Sequence, residues 1–138
     1  MNNIKLPKVR LLAFILAVTF NPESVVLAAG PAPGALPTGG QITAGSGAIN
    51  QAGNVMNIQQ NTARMITNWQ TFNVGQNAKV NFLQPSASAV SLNRVLSADP
   101  SQILGQLNAN GVVVLLNPNG VLFGASARVD VGGLISAA

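Results

Sequence analysis

From Gln41 onward, short apolar stretches are interrupted again and again by Gly and Asn. That punctuation suits short strands and tight turns, because Gly and Asn tolerate the positive φ that tight turns often demand. Alternation of apolar and polar residues marks Val80-Asn81-Phe82 and Val90-Ser91-Leu92 as strands. The stretches around Val55 to Ile58, Ile66 to Val74 (with Trp69 and Phe72), Val121 to Phe123 and Val129 to Val131 also read as short strands. Gly111-Val112-Val113-Val114-Leu115-Leu116 is a continuous run, the pattern of a strand buried on both faces or nearly so. Turns are expected at Gly53-Asn54, Asn73-Val74-Gly75, Asn110-Gly111, Asn119-Gly120 and Gly132-Gly133. A single helical turn is predicted after Asp99. Asp99 suits the cap, Pro100 the first helical position and Gln102 the capping-box partner. Ile103, Leu104 and Leu107 would form its apolar face, and Gly105 would end it early.

The class is therefore all-β with many short strands, arranged either as a sandwich or barrel or as a β-solenoid. The amides favour the solenoid. Thirteen Asn and nine Gln follow residue 28. Stacked amides bond to one another up a column of coils, whereas stacked like charges repel. Charged residues make up only 7% of the chain, against about 25% in an average globular protein.

The N-terminus reads as an address. Lys5, Lys8 and Arg10 precede the apolar run Leu11 to Phe20, and small residues close the segment at Val26-Leu27-Ala28-Ala29. These are the parts of a secretory signal peptide, and the run is short of the ~20 residues that a spanning helix needs. Residues 1–28 are expected to be a cleavable signal peptide, cut after Ala28 or Ala29. Residues 29–40, rich in Pro and Gly, are expected to be an extended lead-in or linker. Residues 41–138 then form the domain. Val129, Val131, Leu134 and Ile135 run close to Ala138, so the domain is expected to end on an open apolar edge and to be the N-terminal part of a longer exported protein.

Several function classes are excluded by composition. The chain has no Cys and no His, which removes disulfides, thiolate or imidazole metal ligands and a His-based triad. After residue 28 the charges are Arg64, Lys79, Arg94 and Arg128 against Asp99 and Asp130. Those cations are scattered, whereas a nucleic-acid surface needs them clustered. Two carboxylates, one with a capping role, build no acid/base pair of the kind that β-helical lyases and hydrolases use. No enzyme, no cofactor, no nucleic-acid partner and no stable membrane insertion are expected. Trp69 and Phe72 read as core rather than as a ligand-stacking face.

Particular stretches carry a resemblance. They are Gly40-Gln41-Ile42-Thr43-Ala44-Gly45, Asn68-Trp69-Gln70-Thr71-Phe72-Asn73-Val74-Gly75, Val80-Asn81-Phe82-Leu83-Gln84-Pro85-Ser86-Ala87-Ser88-Ala89-Val90, Leu92-Asn93-Arg94-Val95, Asp99-Pro100-Ser101-Gln102-Ile103-Leu104-Gly105 and Asn117-Pro118-Asn119-Gly120-Val121-Leu122-Phe123-Gly124. In this order they resemble the two-partner secretion domain, or haemagglutination-activity domain, of filamentous haemagglutinin-like exoproteins, over roughly residues 40–138. A second Asn-Pro-Asn motif ending in Leu, found in some members, is absent.

The resemblance implies a right-handed parallel β-helix with N-terminal capping strands and extra small sheets. It also implies a role in Gram-negative bacteria. The exoprotein passes the general secretion machinery of the inner membrane and crosses the periplasm unfolded. It is recognised by the periplasmic domains of a dedicated outer-membrane β-barrel transporter, then folds at the cell surface. By the same resemblance, Asn117-Pro118-Asn119-Gly120 is a secretion motif. By its residue types it is a tight turn between the Val112–Leu116 and Val121–Phe123 strands, since Pro118 fixes φ and Asn119 and Gly120 tolerate left-handed geometry. Arg94 and Arg128 are candidate contacts for acidic groups of the partner. The alternative function is direct adhesion, such as carbohydrate binding, and the sequence names no host-surface ligand.

Overall fold

A computed structural model describes residues 30–138, which form one compact unit from Pro31 onward. The expected signal peptide, residues 1–28, and the expected cleavage positions Ala28 and Ala29 lie outside the described residues. The described chain has twelve strands. They are β1 (Gln41–Ala44), β2 (Gly47–Ala52), β3 (Val55–Gln60), β4 (Arg64–Trp69), β5 (Lys79–Leu83), β6 (Val90–Val95), β7 (Ser101–Ile103), β8 (Gln106–Ala109), β9 (Val112–Leu116), β10 (Val121–Phe123), β11 (Arg128–Asp130) and β12 (Gly133–Ala137).

The strands coil into a right-handed parallel β-helix of about four turns. One long face is the sheet β1-β4-β6-β9-β12 and a second is β11-β8-β5-β3-β2. The third face is the pair β7-β10, continued to the first coil by a bridge between Val74 and Ile103. All pairings between successive coils are parallel, and β5, β6, β8 and β9 each bond to the coil before and the coil after. The first coil is closed differently: β1 lies antiparallel on β4 and β2 antiparallel on β3. The capping strands thus belong to the two large sheets.

Parallel register turns alternation along each strand into columns across the coils. Met56, Val80 and Leu107 stack inside one face, and Ile58 stacks on Phe82 beside them. Met65, Ser91 and Val113 stack inside the opposite face. Trp69 and Phe72 are both buried and meet edge to face, centroids 5.4 Å apart at 85°. The Trp69 indole N–H donates to Asn93 Oδ1 at 2.9 Å, which keeps the polar end of the ring satisfied in the core.

The expected amide column is present on the outside. Asn57, Asn81 and Asn108 are in register; Asn81 Nδ2 donates to Asn57 Oδ1 at 2.9 Å and Asn108 Nδ2 to Asn81 Oδ1 at 3.0 Å. Asn50 precedes the column and Asp130 follows it in the same register.

Two local expectations are corrected. No helical turn follows Asp99. Ser101–Ile103 is strand β7, with Ser101 and Ile103 buried and Gln102 half-buried between them. An Asp cap contributes about 1 kcal/mol, and here it competes with pairing on two sides. Val74 N–H donates to Gln102 O at 3.0 Å, and β10 lies parallel to β7 on the other edge. The Asp99 N–H instead donates to Ser97 Oγ at 2.9 Å.

The run Val112–Leu116 is buried on one face only. Val113 and Leu115 are fully buried, while Val112, Val114 and Leu116 face outward and are half-covered by the ladder partners Val90, Leu92 and Arg94. Continuous β-branching here reflects stacking in an outer column, not a second buried face.

The Pro/Gly-rich lead-in is held against the body. Leu36 is a core residue, Gly75 N–H donates to Ala35 O at 2.9 Å, and Thr38 bridges Thr71.

Corners bring backbones too close for side chains. A Cβ on Gly105 would lie 2.1 Å from Gly75 O and 2.4 Å from Ala78 O, whereas one on Gly133 would meet nothing nearer than 3.5 Å. Gly105→Ala is therefore expected to cost about 1–3 kcal/mol in urea unfolding, and Gly133→Ala to stay within about 0.5 kcal/mol. Equal effects of the two substitutions would contradict the corner geometry.

Candidate functional site

The site starts from β9, whose last residue Leu116 delivers Asn117 into the interior. Asn117 is fully buried, while Pro118 and Asn119 are exposed. A buried amide needs partners for both ends, and Asn117 finds them across the coil boundary. Its Nδ2 donates to Asp99 O and to Ser101 Oγ, each at 3.0 Å, and its Oδ1 accepts from Asn119 N at 2.9 Å. Gly120 N–H donates to Asn117 O at 2.9 Å, closing a four-residue turn with Pro118 at its second position. Gly120 has φ of +104°, a conformation that other L residues rarely adopt.

The turn is anchored to neighbours on both sides. Asn119 Nδ2 donates to Ser97 O at 2.7 Å, and Ser101 N–H donates to Gly120 O at 3.0 Å, both in the preceding coil. Asn117 N–H donates to Ala137 O at 3.0 Å in the following one. Asn117-Pro118-Asn119-Gly120 is thus a turn that staples three coils, with Pro118 and Asn119 presented at the surface. None of its side chains is ionisable, so the site can shape and bind but has no acid or base of its own.

The sequence located the motif but not its receiving segment. Ser97, Asp99 and Ser101 are its partners, 16 to 22 residues upstream. The amides Gln60, Gln84 and Asn93, buried at the strand ends and in the core, were also missed. The available signal was parity: Asn93 sits between Ser91 and Val95 on the inward face of β6.

The two candidate arginines are not brought together. Arg94 is exposed on β6, in register with Leu116, the residue before the turn. Arg128 is exposed at the start of β11 on the other large sheet, in register with Gln106. Trp69 and Phe72 form no surface, because both are buried to 1% exposure.

Comparison with known proteins places this geometry. The family model of the TPS secretion domain matches residues 33–138. A heme/hemopexin-binding protein of Haemophilus influenzae is 43% identical over 101 residues, covering 73% of this chain and 11% of that protein. A second H. influenzae heme/hemopexin-binding protein is 43% identical over 81 residues, 59% of this chain and 9% of its own length. The chain therefore spans only a small fraction of the curated relatives it matches. The crystal structure of the HMW1 secretion domain from H. influenzae superimposes with a TM-score of 0.69 at 35% identity, covering 72% of this chain and 27% of that one. With its parallel coils, its capping strands and this match over residues 33–138, the chain belongs to the TPS secretion domain family.

Proposed function

We propose that this domain directs a larger exoprotein to a cognate outer-membrane β-barrel transporter and then seeds its β-helix at the cell surface. The observation that carries this reading is the TPS secretion domain match over residues 33–138, which places the chain in Gram-negative two-partner secretion. Passage through the inner-membrane secretion machinery and recognition by periplasmic domains of the transporter complete the route.

The physical character of the chain supports such a route. It has no Cys, so no disulfide can lock it in an oxidising periplasm. Few charges keep the cost of threading a narrow pore low. Its pairings are long-range and parallel, a topology that folds slowly and leaves time for export.

The seeding role rests on β10, β11 and β12. Each is the outer strand of its sheet, and Leu122, Phe123, Val129 and Ile135 are 57%, 42%, 39% and 56% exposed there. A further coil pairing with these strands would cover that surface. The relatives' names record haem and hemopexin binding for those proteins. This chain has neither His nor Cys to ligate haem iron, and it matches only 11% and 9% of the length of those relatives.

The reading is tested by fusing a periplasmic reporter behind residue 138. The reporter is expected in the medium only when the cognate transporter is co-expressed. Release without the transporter, or retention with it, would refute the targeting role.

The Asn-Pro-Asn-Gly turn makes a second prediction. Asn117→Ala strands buried Ser101 Oγ and is expected to lower stability by about 1–3 kcal/mol. Asn119→Ala loses one exposed bond and is expected to cost less than about 1 kcal/mol. If the motif acts through the fold, export falls in the same order as thermal stability. If Asn119→Ala leaves melting unchanged yet abolishes binding to the purified transporter, the exposed half of the turn is a recognition element instead.

A further inference from the structure

Apolar pattern alone does not fix where β9 seats on β6. A slip of one residue would turn every inward side chain outward, but a slip of two preserves inward and outward parity. Within Val112-Val113-Val114-Leu115-Leu116, a two-residue slip only exchanges Val for Leu, although at the strand ends it displaces Gly111 and Asn117. Something other than hydrophobic matching must distinguish these seatings.

Asn117 distinguishes them at the end of β9, through Asp99 O and Ser101 Oγ, and Gln84 does so at its start. Gln84 follows β5 at the corner between the two large sheets and is 7% exposed. Its Oε1 accepts from Gly111 N at 2.9 Å, and the two hydrogens of its Nε2 are shared among three acceptors, Val112 O at 3.0 Å and Ala89 O and Gln60 Oε1 at 3.2 Å each. Its backbone is clasped by one side chain of the next coil: Gln84 N donates to Asn110 Oδ1 and Asn110 Nδ2 donates to Gln84 O, both at 2.7 Å.

The same corner selects its occupant by size. A Cβ at Gly111 would lie 2.9 Å from Gln84 Cδ and 2.8 Å from Ser86 O. A two-residue slip would bring Ala109 or Val113 to that place, each with a Cβ, and would take Asn110 away from Gln84. The buried amide would then face a crowded corner without its partners, which is costly in a low-dielectric interior. Gln60 occupies the same corner one coil earlier, where its Nε2 donates to Val90 O at 3.0 Å. The fourth coil has Gly132 there, bonded through its N–H to Gly111 O at 3.0 Å, and no amide.

We propose that Gln84, read by Asn110 and Gly111, is a register lock that lets the third coil settle on the second in one alignment only. The lock acts on folding of the chain itself and needs no transporter, so it stands or falls separately from the secretion role.

The full chain contains no Cys, which allows a direct test by disulfide trapping. Leu92 and Val114 are in-register partners on the outer face, so Leu92→Cys with Val114→Cys reports the native seating. Leu92→Cys with Leu116→Cys, or with Val112→Cys, reports a slip of two in either direction. Diagonal positions in the native seating lie beyond the ~7 Å Cα separation that a disulfide can bridge. Each pair is oxidised during refolding in three backgrounds: otherwise native, Gln84→Met and Asn110→Ala.

The native background should give only the in-register crosslink. Slipped crosslinks should rise roughly tenfold in Gln84→Met, and should also rise in Asn110→Ala. Cooperative folding of both variants with slipped crosslinks as scarce as in the native background would overturn the proposal. Loss of cooperative unfolding in both, with all three pairs crosslinking equally, would overturn it too, since Gln84 would then be needed for folding rather than for alignment.

Discussion

Stacking of each coil on its neighbours in parallel register is the constraint on which the remaining structure depends. A residue at an inward position meets the residues one coil above and below it, so its chemistry must suit both. Aliphatic columns satisfy this by burial, as in Met56-Val80-Leu107. Polar groups satisfy it by bonding between coils, as Trp69 does with Asn93 and Asn117 with Ser101. The scarcity of ionisable residues follows. A neutral amide carries both a donor and an acceptor and can repeat up a column, whereas a charge cannot repeat without repulsion.

How much of this was legible follows from the range of each signal. Alternation has a period of two and is local, so β5 and β6 could be read directly from Val80-Asn81-Phe82 and Val90-Ser91-Leu92. Gly and Asn at Asn119-Gly120 and Asn110-Gly111 announced turns for the same reason. The Asp99-Pro100 segment misled because its helix signals are also local, while the forces that made it a strand come from Val74 and from Val121 to Phe123, about one coil away on either side. The β-branched run at β9 misled in degree: stacking in an outer column rewards the same residues as burial on two faces.

The candidate site shows the same division. Asn117-Pro118-Asn119-Gly120 is recognisable as a turn from residue types alone. That Asn117 is fully buried, and that Ser97, Asp99 and Ser101 receive the turn, depends on which coil lies beneath it. The same holds for Gln84, whose neighbours in sequence gave no hint that Asn110 would enclose it. Buried amides at coil corners carry information between coils, and a linear reading sees only one member of each pair.

The antiparallel seating of β1 and β2 has a consequence for self-association. One end of the prism is sealed by strands running against the helical direction, and the other ends in strands running with it. A coil added beyond β1 and β2 in the helical direction would have to pair antiparallel with them, as β4 and β3 do from the other side. The two ends of the helix therefore offer an incoming chain different pairings, antiparallel on β1 and β2 and parallel on β10, β11 and β12.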